Sequence, residues 1–354
     1  MNIPTVGTAE AAWGRIIPFL RPIEPLIRDP EISDIMINGG HAVFFEKHGR
    51  LERLPGVTIQ EKSLQVAARN IARSLGAEIS EESPLLDSRL PDGSRVAIVL
   101  FPVSVGGTSV TIRKFQNKRF NALELVLVGT LTGPLVKELE EAVLFRRNIL
   151  ISGGTGTGKT TLLNALAAFI PDDERLVIIE DTAEIQIDKP NVLRFEARRE
   201  QPDWPAVTIR DLLRATLRTR PDRILLGEVR GPEAFDLLQA MNTGHQGTLS
   251  TIHANSAPET LTRFATCVMM AGIGLPHRTV RANIADALDL IVHIERRNGK
   301  RYVDDLVRVK GYDPSEDKYD LETIYSEAAA SAALESTHEQ RTRNPKATAG
   351  GPER

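Results

Sequence analysis

The octapeptide Gly153–Thr160, GGTGTGKT, places four glycines around one lysine and one closing threonine. Glycines let a chain turn until successive backbone N–H groups converge, and a helix N-terminus behind such a turn carries partial positive charge. Together they make a phosphate cradle. In the pattern G-x-x-x-x-G-K-[ST] the lysine reaches the β- and γ-phosphates of a nucleoside triphosphate, and the hydroxyl ligates Mg²⁺. The expected cradle is Gly153, Gly154, Thr155, Gly156, Thr157, Gly158, Lys159, Thr160 and Thr161, with a nucleoside triphosphate and Mg²⁺ as its ligands.

Phosphoryl transfer to water also needs carboxylates at neighbouring strand ends. ILLGEVRG (224–231) ends an apolar run in Glu228, and RLVIIEDTAEIQI (175–187) ends another in Glu180 and Asp181, with Glu184 just beyond. Glu228 is the expected water-positioning group. Glu180 and Glu184 are expected to support metal and water, and Thr160, Glu228 and Glu180 to surround Mg²⁺, partly through water. The stretch MNTGHQGTLSTIHAN (241–255) carries His245 and His253 eight residues apart. A zinc site would need further ligands, but the chain has one cysteine and neither H-E-x-x-H nor C-x-x-C. Because TLSTI reads as a strand, its flanking histidines are expected at sheet ends, where α/β sheets bind ligands. His253 is the expected γ-phosphate sensor, and His245 a weaker one or one acting through a neighbouring subunit.

The elements that must hold these groups are legible in the spacing of apolar runs. NILIS, RLVIIE, RILLG and TLSTI alternate with helical stretches, the rhythm of βαβ units around a buried parallel sheet. Residues 16–115 alternate short β-rich runs with the helical EKSLQVAARNIARSLG, which predicts a smaller α+β domain. The predicted order is a flexible leader 1–15, the α+β domain 16–115, a connector 116–133, the nucleotide domain 134–325 and a disordered tail 326–354. At 354 residues, 41% hydrophobic and 26% charged, the chain can bury such cores. A net charge of −3 argues against a surface built to neutralise nucleic-acid phosphates, and 5% aromatic residues against a stacking channel for single strands. No sequence-specific nucleic-acid partner is expected. Cys267, among Val268, Met269 and Met270, reads as a small buried hydrophobe. The start lacks a basic segment followed by an apolar run, and no uninterrupted stretch of eighteen apolar residues occurs, so a cytoplasmic protein without a membrane span is expected.

Taken in order, GGTGTGKT, IIEDTAEI, RTRPDRILLGEVRG and MNTGHQGTLSTIHANS resemble the Walker A, Asp, glutamate-bearing Walker B and His boxes of the secretion ATPase superfamily. The resemblance runs from about Ile16 to Tyr325. DPEISDIMINGG and EKHGRLERL are most similar to the conjugal-transfer (TrbB) and tight-adherence pilus (CpaF) groups. VMMAGIGLP (268–276) is similar to the pilus group, whereas the absence of that group's long N-terminal extension favours the conjugal one. The resemblance implies a RecA-like P-loop ATPase domain behind a smaller α+β domain, and a ring homo-oligomer, a hexamer. It further implies a peripheral position at the inner membrane, against secretion or pilus platform proteins. Arginines of the first domain, Arg95 and Arg113 and less strongly Arg89, are implied to reach the nucleotide of the same or a neighbouring subunit; a guanidinium offers a planar, permanently charged fork to phosphate oxygens. Arg210, Arg214, Arg218, Arg220 and Arg223 read instead as a solvated or subunit-facing stripe. The expected function is ATP hydrolysis driving a type IV secretion or conjugation apparatus. Rival readings are a pilus or type II secretion assembly ATPase, a nucleic-acid translocase, and a P-loop kinase, which would need an acceptor pocket with its own base.

Overall fold

Strand pairing in the computed structural model, which describes residues 13–14, 16–115, 120–198, 200 and 204–330, forms two sheets. Each belongs to its own unit, Met1–Lys118 or Arg119–Arg354. The expected leader and tail lie almost wholly outside the described residues.

Unit 1 is built on six strands: β1 (Ile32–Asn38), β2 (Ala42–Lys47), β3 (Arg50–Leu54), β4 (Leu85–Arg89), β5 (Arg95–Val99) and β6 (Ser109–Arg113). They run antiparallel in the order β3-β2-β1-β6-β5-β4. Alternation decides which face is buried. Ile35, Ile37, Val96, Ile98, Val110 and Ile112 point into one core with Leu64, Ala67, Ala68, Ile71 and Ala72, the apolar stripe of helix Glu61–Ser74. The other face carries the alternate residues. Pairing sets Arg89 opposite Arg95, Arg95 opposite Arg113 and Arg113 opposite Asp34, one transverse row across four strands.

Unit 2 has eight strands: β7 (Ile149–Ser152), β8 (Leu176–Glu180), β9 (Val192–Glu196), β10 (Arg223–Val229), β11 (Leu249–Ile252), β12 (Leu290–Arg297), β13 (Lys300–Asp313) and β14 (Lys318–Ser326). Their order is β14-β13-β12-β7-β11-β10-β8-β9. Pairing from β12 to β9 is parallel, and β13 and β14 add an antiparallel edge. The central strands are continuously apolar because helices cover both faces. Helices Gly133–Leu144 and Lys159–Ala167 pack Leu135, Leu139, Leu162 and Leu166 on one face, against Ile149, Ile151, Ile178 and Leu225. Helices Glu233–Asn242, Ala257–Met269 and His277–Ala287 pack Leu237, Leu261, Phe264 and Ile284 on the other, against Leu150, Ile179, Leu226 and Ile252. Cys267 lies in this second layer, fully buried.

Within the expected connector, Asn121 and Glu124 form a capping box on helix Ala122–Leu127, and Leu125 and Leu131 enter the core of unit 2. One expectation about this region needs correction. The arginine run is not one stripe. Arg210 and Arg214 both pair with Asp236, at 2.6 and 3.0 Å, joining the helix Ile209–Thr216 to the next. Arg223 is fully buried, donating to Glu174 from Nε at 2.5 Å and from a terminal nitrogen at 2.9 Å, and to the Val143 carbonyl at 2.6 Å. It starts a strand, so the helical spacing that suggested a stripe ends before it.

Candidate active site

β7 feeds the glycine loop from the middle of the sheet. Gly153 crosses β12 so closely that a Cβ there would stand 2.3 Å from the Ile294 carbonyl oxygen. No other residue passes without a shift. Gly156 and Gly158 adopt φ of +70° and +99°, a region open to glycine, and Gly158 caps the helix Lys159–Ala167. Thr157 Oγ1 donates to the Gly154 carbonyl at 3.0 Å, and Arg301 of β13 donates from Nε to the Gly156 carbonyl at 3.0 Å. At the root of the loop, Ser152 Oγ lies 3.0 Å from Nδ1 of the buried His293 on β12.

Lys159 turns its ammonium onto this loop, donating to the carbonyls of Gly153 at 3.0 Å and Gly154 at 2.8 Å. Burial pushes the group down to about 8, against the raising field of Glu228. Thr160 and Thr161 follow on the first turn, half-buried, while Gly154, Thr155 and Gly156 form the exposed rim.

The strands beside β7 supply the remaining groups. β11 neighbours β7 and ends just before His253; β10 neighbours β11 and carries Glu228 near its end. The β10–β11 ladder is irregular between Leu226 and Val229, and Thr251 Oγ1 donates to the Gly227 carbonyl at 2.7 Å there. Such a break re-aims a side chain. Glu228 Oε1 stands 2.9 Å from His253 Nε2, and both ring nitrogens of His253 lie 3.4 Å from Lys159 Nζ. Burial, and next the charge of Lys159, hold His253 below its ordinary range, so the ring is neutral at pH 7. Glu228 Oε2 accepts from Arg230, from Nε at 2.8 Å and from a terminal nitrogen at 2.5 Å.

Glu180 ends β8 on the far side of β10 and is 4% exposed. Its Oε1 accepts the backbone N–H groups of Glu184 and Ile185, each at 2.8 Å, and burial outweighs those bonds to push the carboxyl up to about 7. Glu180 thus clamps the loop that presents Glu184, whose charge is felt at Lys159 and Arg230. Its side chain passes over Gly227, where a Cβ would meet Glu180 Cγ at 3.1 Å. Among the described residues no cluster of three or more His, Cys, Asp or Glu could by itself hold a metal ion. Mg²⁺ keeps much of its water and binds through few protein ligands plus phosphate oxygens. Thr160 and, through water, Glu228 would hold it.

The structure separates the two histidines. His253 follows β11 on the P-loop side, whereas His245 precedes that strand at the opposite edge of the sheet. Eight residues separate them, and a strand rises ~3.3 Å per residue, so His245 does not reach the P-loop of its own chain. Its Nδ1 is buried without a hydrogen-bond partner among the described residues. Arg89, Arg95 and Arg113 lie in the unit 1 row described above, with Arg113 Nε 3.0 Å from Asp34 Oδ1. Arg230 was absent from the residues read off the sequence, although an arginine two places past a strand-end glutamate was visible in EVRG. Arg301 had no signal, being more than 140 residues from the loop it touches.

The model of the family described as Type II/IV secretion system protein matches residues 20–343. The conjugal transfer protein TrbB of Rhizobium radiobacter is 36% identical over 288 residues, 80% of this chain and 85% of that protein. The type IV secretion system protein PtlH of Bordetella pertussis is 36% identical over 307 residues, covering 79% and 90% respectively. An uncharacterized protein of Methanocaldococcus jannaschii is 38% identical over 260 residues, and the chain spans only 36% of its length. Among solved structures, the ATPase DotB of Legionella pneumophila shares the fold at TM-score 0.55 and 21% identity, covering 92% of this chain and 86% of that one.

Proposed function

Because the chain belongs to the type II/IV secretion system protein family, we propose that it is a Mg²⁺-dependent ATPase working as a ring of identical subunits, a hexamer, to power a type IV secretion or conjugation apparatus. The observation that carries the chemistry is the line of groups Lys159, His253 and Glu228 at one sheet edge beside the glycine loop. Backbone N–H groups of the loop and Lys159 bind the β- and γ-phosphates. Mg²⁺ when bound supplies neutralisation of the oxygens between them. Glu228 accepts a hydrogen bond from a water, whose oxygen attacks the γ-phosphorus. The bond to the β–γ bridging oxygen breaks, leaving ADP, and the water's proton passes by way of the carboxylate to solvent. Arg95 and Arg113 stabilise charge on the transferring group from unit 1, and neutral His253 reports the γ-phosphate by a bond that ADP cannot offer.

The names of TrbB and PtlH support the conjugation and secretion reading over a pilus motor. A place at the cytoplasmic side of the inner membrane, against platform proteins, follows from that reading. No described helix is long and apolar enough to cross a membrane. The test is a pair of variants. Lys159→Ala should abolish tight nucleotide binding, and Glu228→Gln should keep ATP bound while turnover falls at least about a hundredfold. Wild-type turnover in Lys159→Ala would remove the P-loop assignment, and in Glu228→Gln it would move the water-positioning role to Glu180 or Glu184.

A further inference from the structure

Glu228 divides its oxygens: Oε2 takes two contacts from Arg230, at 2.8 and 2.5 Å, while the buried Oε1 lies 2.9 Å from His253 Nε2 without a hydrogen bond to it. The guanidinium on Oε2 neutralises charge that would otherwise orient a water. His253 lies between Glu228 and Lys159, and the Arg230 side chain is 57% exposed. The base of that side chain is fixed. Glu233 Oε1 accepts the N–H of Arg230 at 2.6 Å and of Gly231 at 2.7 Å, pinning the turn from which the guanidinium projects.

We propose that Arg230 is a catalytic residue, which leaves Glu228 for the γ-phosphate oxygens when ATP fills the glycine loop. The inference rests on the ATPase reading above. The P-loop lysine marks where the γ-phosphate lies, and only His253 separates Lys159 from the carboxylate that Arg230 holds. An arriving γ-phosphate offers a planar fork more oxygens and more charge than one carboxylate does. Asp181, 3.9 Å from Arg230, and Glu184 also favour its charge, but less than Glu228 does. One movement then has two results: Glu228 is released to a water, and a cation reaches the group whose charge must be stabilised. With ADP nothing draws the arginine away. The exchange gives the water-positioning carboxylate its full charge when a triphosphate is bound.

The test uses the full chain with Arg230→Ala and Arg230→Lys. In Arg230→Ala, kcat should fall about a hundredfold or more, with KM for ATP and affinity for ADP within about threefold of wild type. Trapping of Mg²⁺-ADP by aluminium fluoride, which mimics the transferring phosphoryl group, should be lost. Arg230→Lys, keeping charge without the fork, should recover part of the turnover and decides the matter if Arg230→Ala does not fold. Turnover at or above wild type would show that Arg230 only restrains Glu228 and would overturn the proposal. So would wild-type trapping, or a loss of ADP affinity in step with kcat. A wild-type chain that hydrolyses no more ATP than Lys159→Ala would instead overturn the ATPase reading, whatever Arg230 does.

Discussion

At the scale of single residues, Lys159 carries the sharpest expectation, because its ammonium is half-committed before any phosphate arrives. Burial lowers it to about 8, and a polyphosphate beside it must raise it again. The sign follows directly. Below pH 8 the free protein already holds the charge; above it, binding must take up a proton, so ATP affinity should fall by up to about tenfold for each pH unit beyond 8. Titration calorimetry in buffers of different ionisation enthalpy should show that uptake near pH 9 and little at pH 7; equal affinity at both would refute the assignment. His253 yields a different expectation. Neutral and 2.9 Å from Glu228, it can read the γ-phosphate without holding it, so His253→Ala should bind ATP within about threefold of wild type. Closure on a non-hydrolysable analogue, followed by small-angle scattering, should be lost. Should that variant close normally, the histidine is a support for Glu228 alone. Lys159, Glu228 and His253 were legible in the sequence because each sits in a short motif whose local geometry fixes its direction. Arg230 was not, since an arginine in a turn looks like any solvated charge. The end of β11 at which His245 stands was not legible, because proximity to a strand does not say which end of the sheet a residue occupies.

Among elements, the meeting of β7 with β12 does for the phosphate loop what the loop's own sequence cannot. Ile294 fixes its path, His293 meets Ser152 at its root, and Arg301 holds Gly156 from the next strand. Gly153→Ala should therefore push the loop off β12 and weaken nucleotide binding at least about tenfold, since a misplacement near 1 Å can cost a hundredfold in rate. Normal binding would mean that β12 yields instead. The opposite edge of the sheet supports stability. Arg223 is buried against Glu174, and a Cβ on Gly247 would stand 2.6 Å from its guanidinium. Breaking such a pair from one side costs about 3–5 kcal/mol, so Arg223→Met should lower the urea midpoint strongly while the folded fraction keeps its turnover. Loss of turnover without loss of stability would tie this edge to the chemistry. The buried strands of unit 2 could be read from apolar runs because a doubly covered strand has no polar face. Helix Ala122–Leu127 could not: six residues are too few for a periodic signal, and packing of Leu125 decides it.

For the whole molecule, the question is whether two compact units make one catalyst. Unit 2 contains the loop, Lys159, Glu228, Arg230 and His253. Unit 1 contributes the row Arg89, Arg95 and Arg113, set in register across β4, β5 and β6. Register put them together, and only the family resemblance, not their separation in sequence, suggested that they act as a group. If they act on the transferring phosphoryl group, Arg95→Ala and Arg113→Ala should each lower kcat about a hundredfold while ADP binding stays within about threefold. Unchanged turnover in both would leave the row as surface charge. Whether an arginine serves its own subunit or a neighbour can be decided by mixing. Lys159→Ala subunits keep good arginines beside a dead loop, and Arg113→Ala subunits keep a good loop beside a missing arginine. In a ring where arginines cross between subunits, some interfaces of the mixture pair a sound loop with a sound arginine. Activity should then exceed the sum of the two preparations, by an amount that follows the mixing ratio. If each unit 1 serves only its own chain, every subunit stays defective in one part, and the mixture adds nothing.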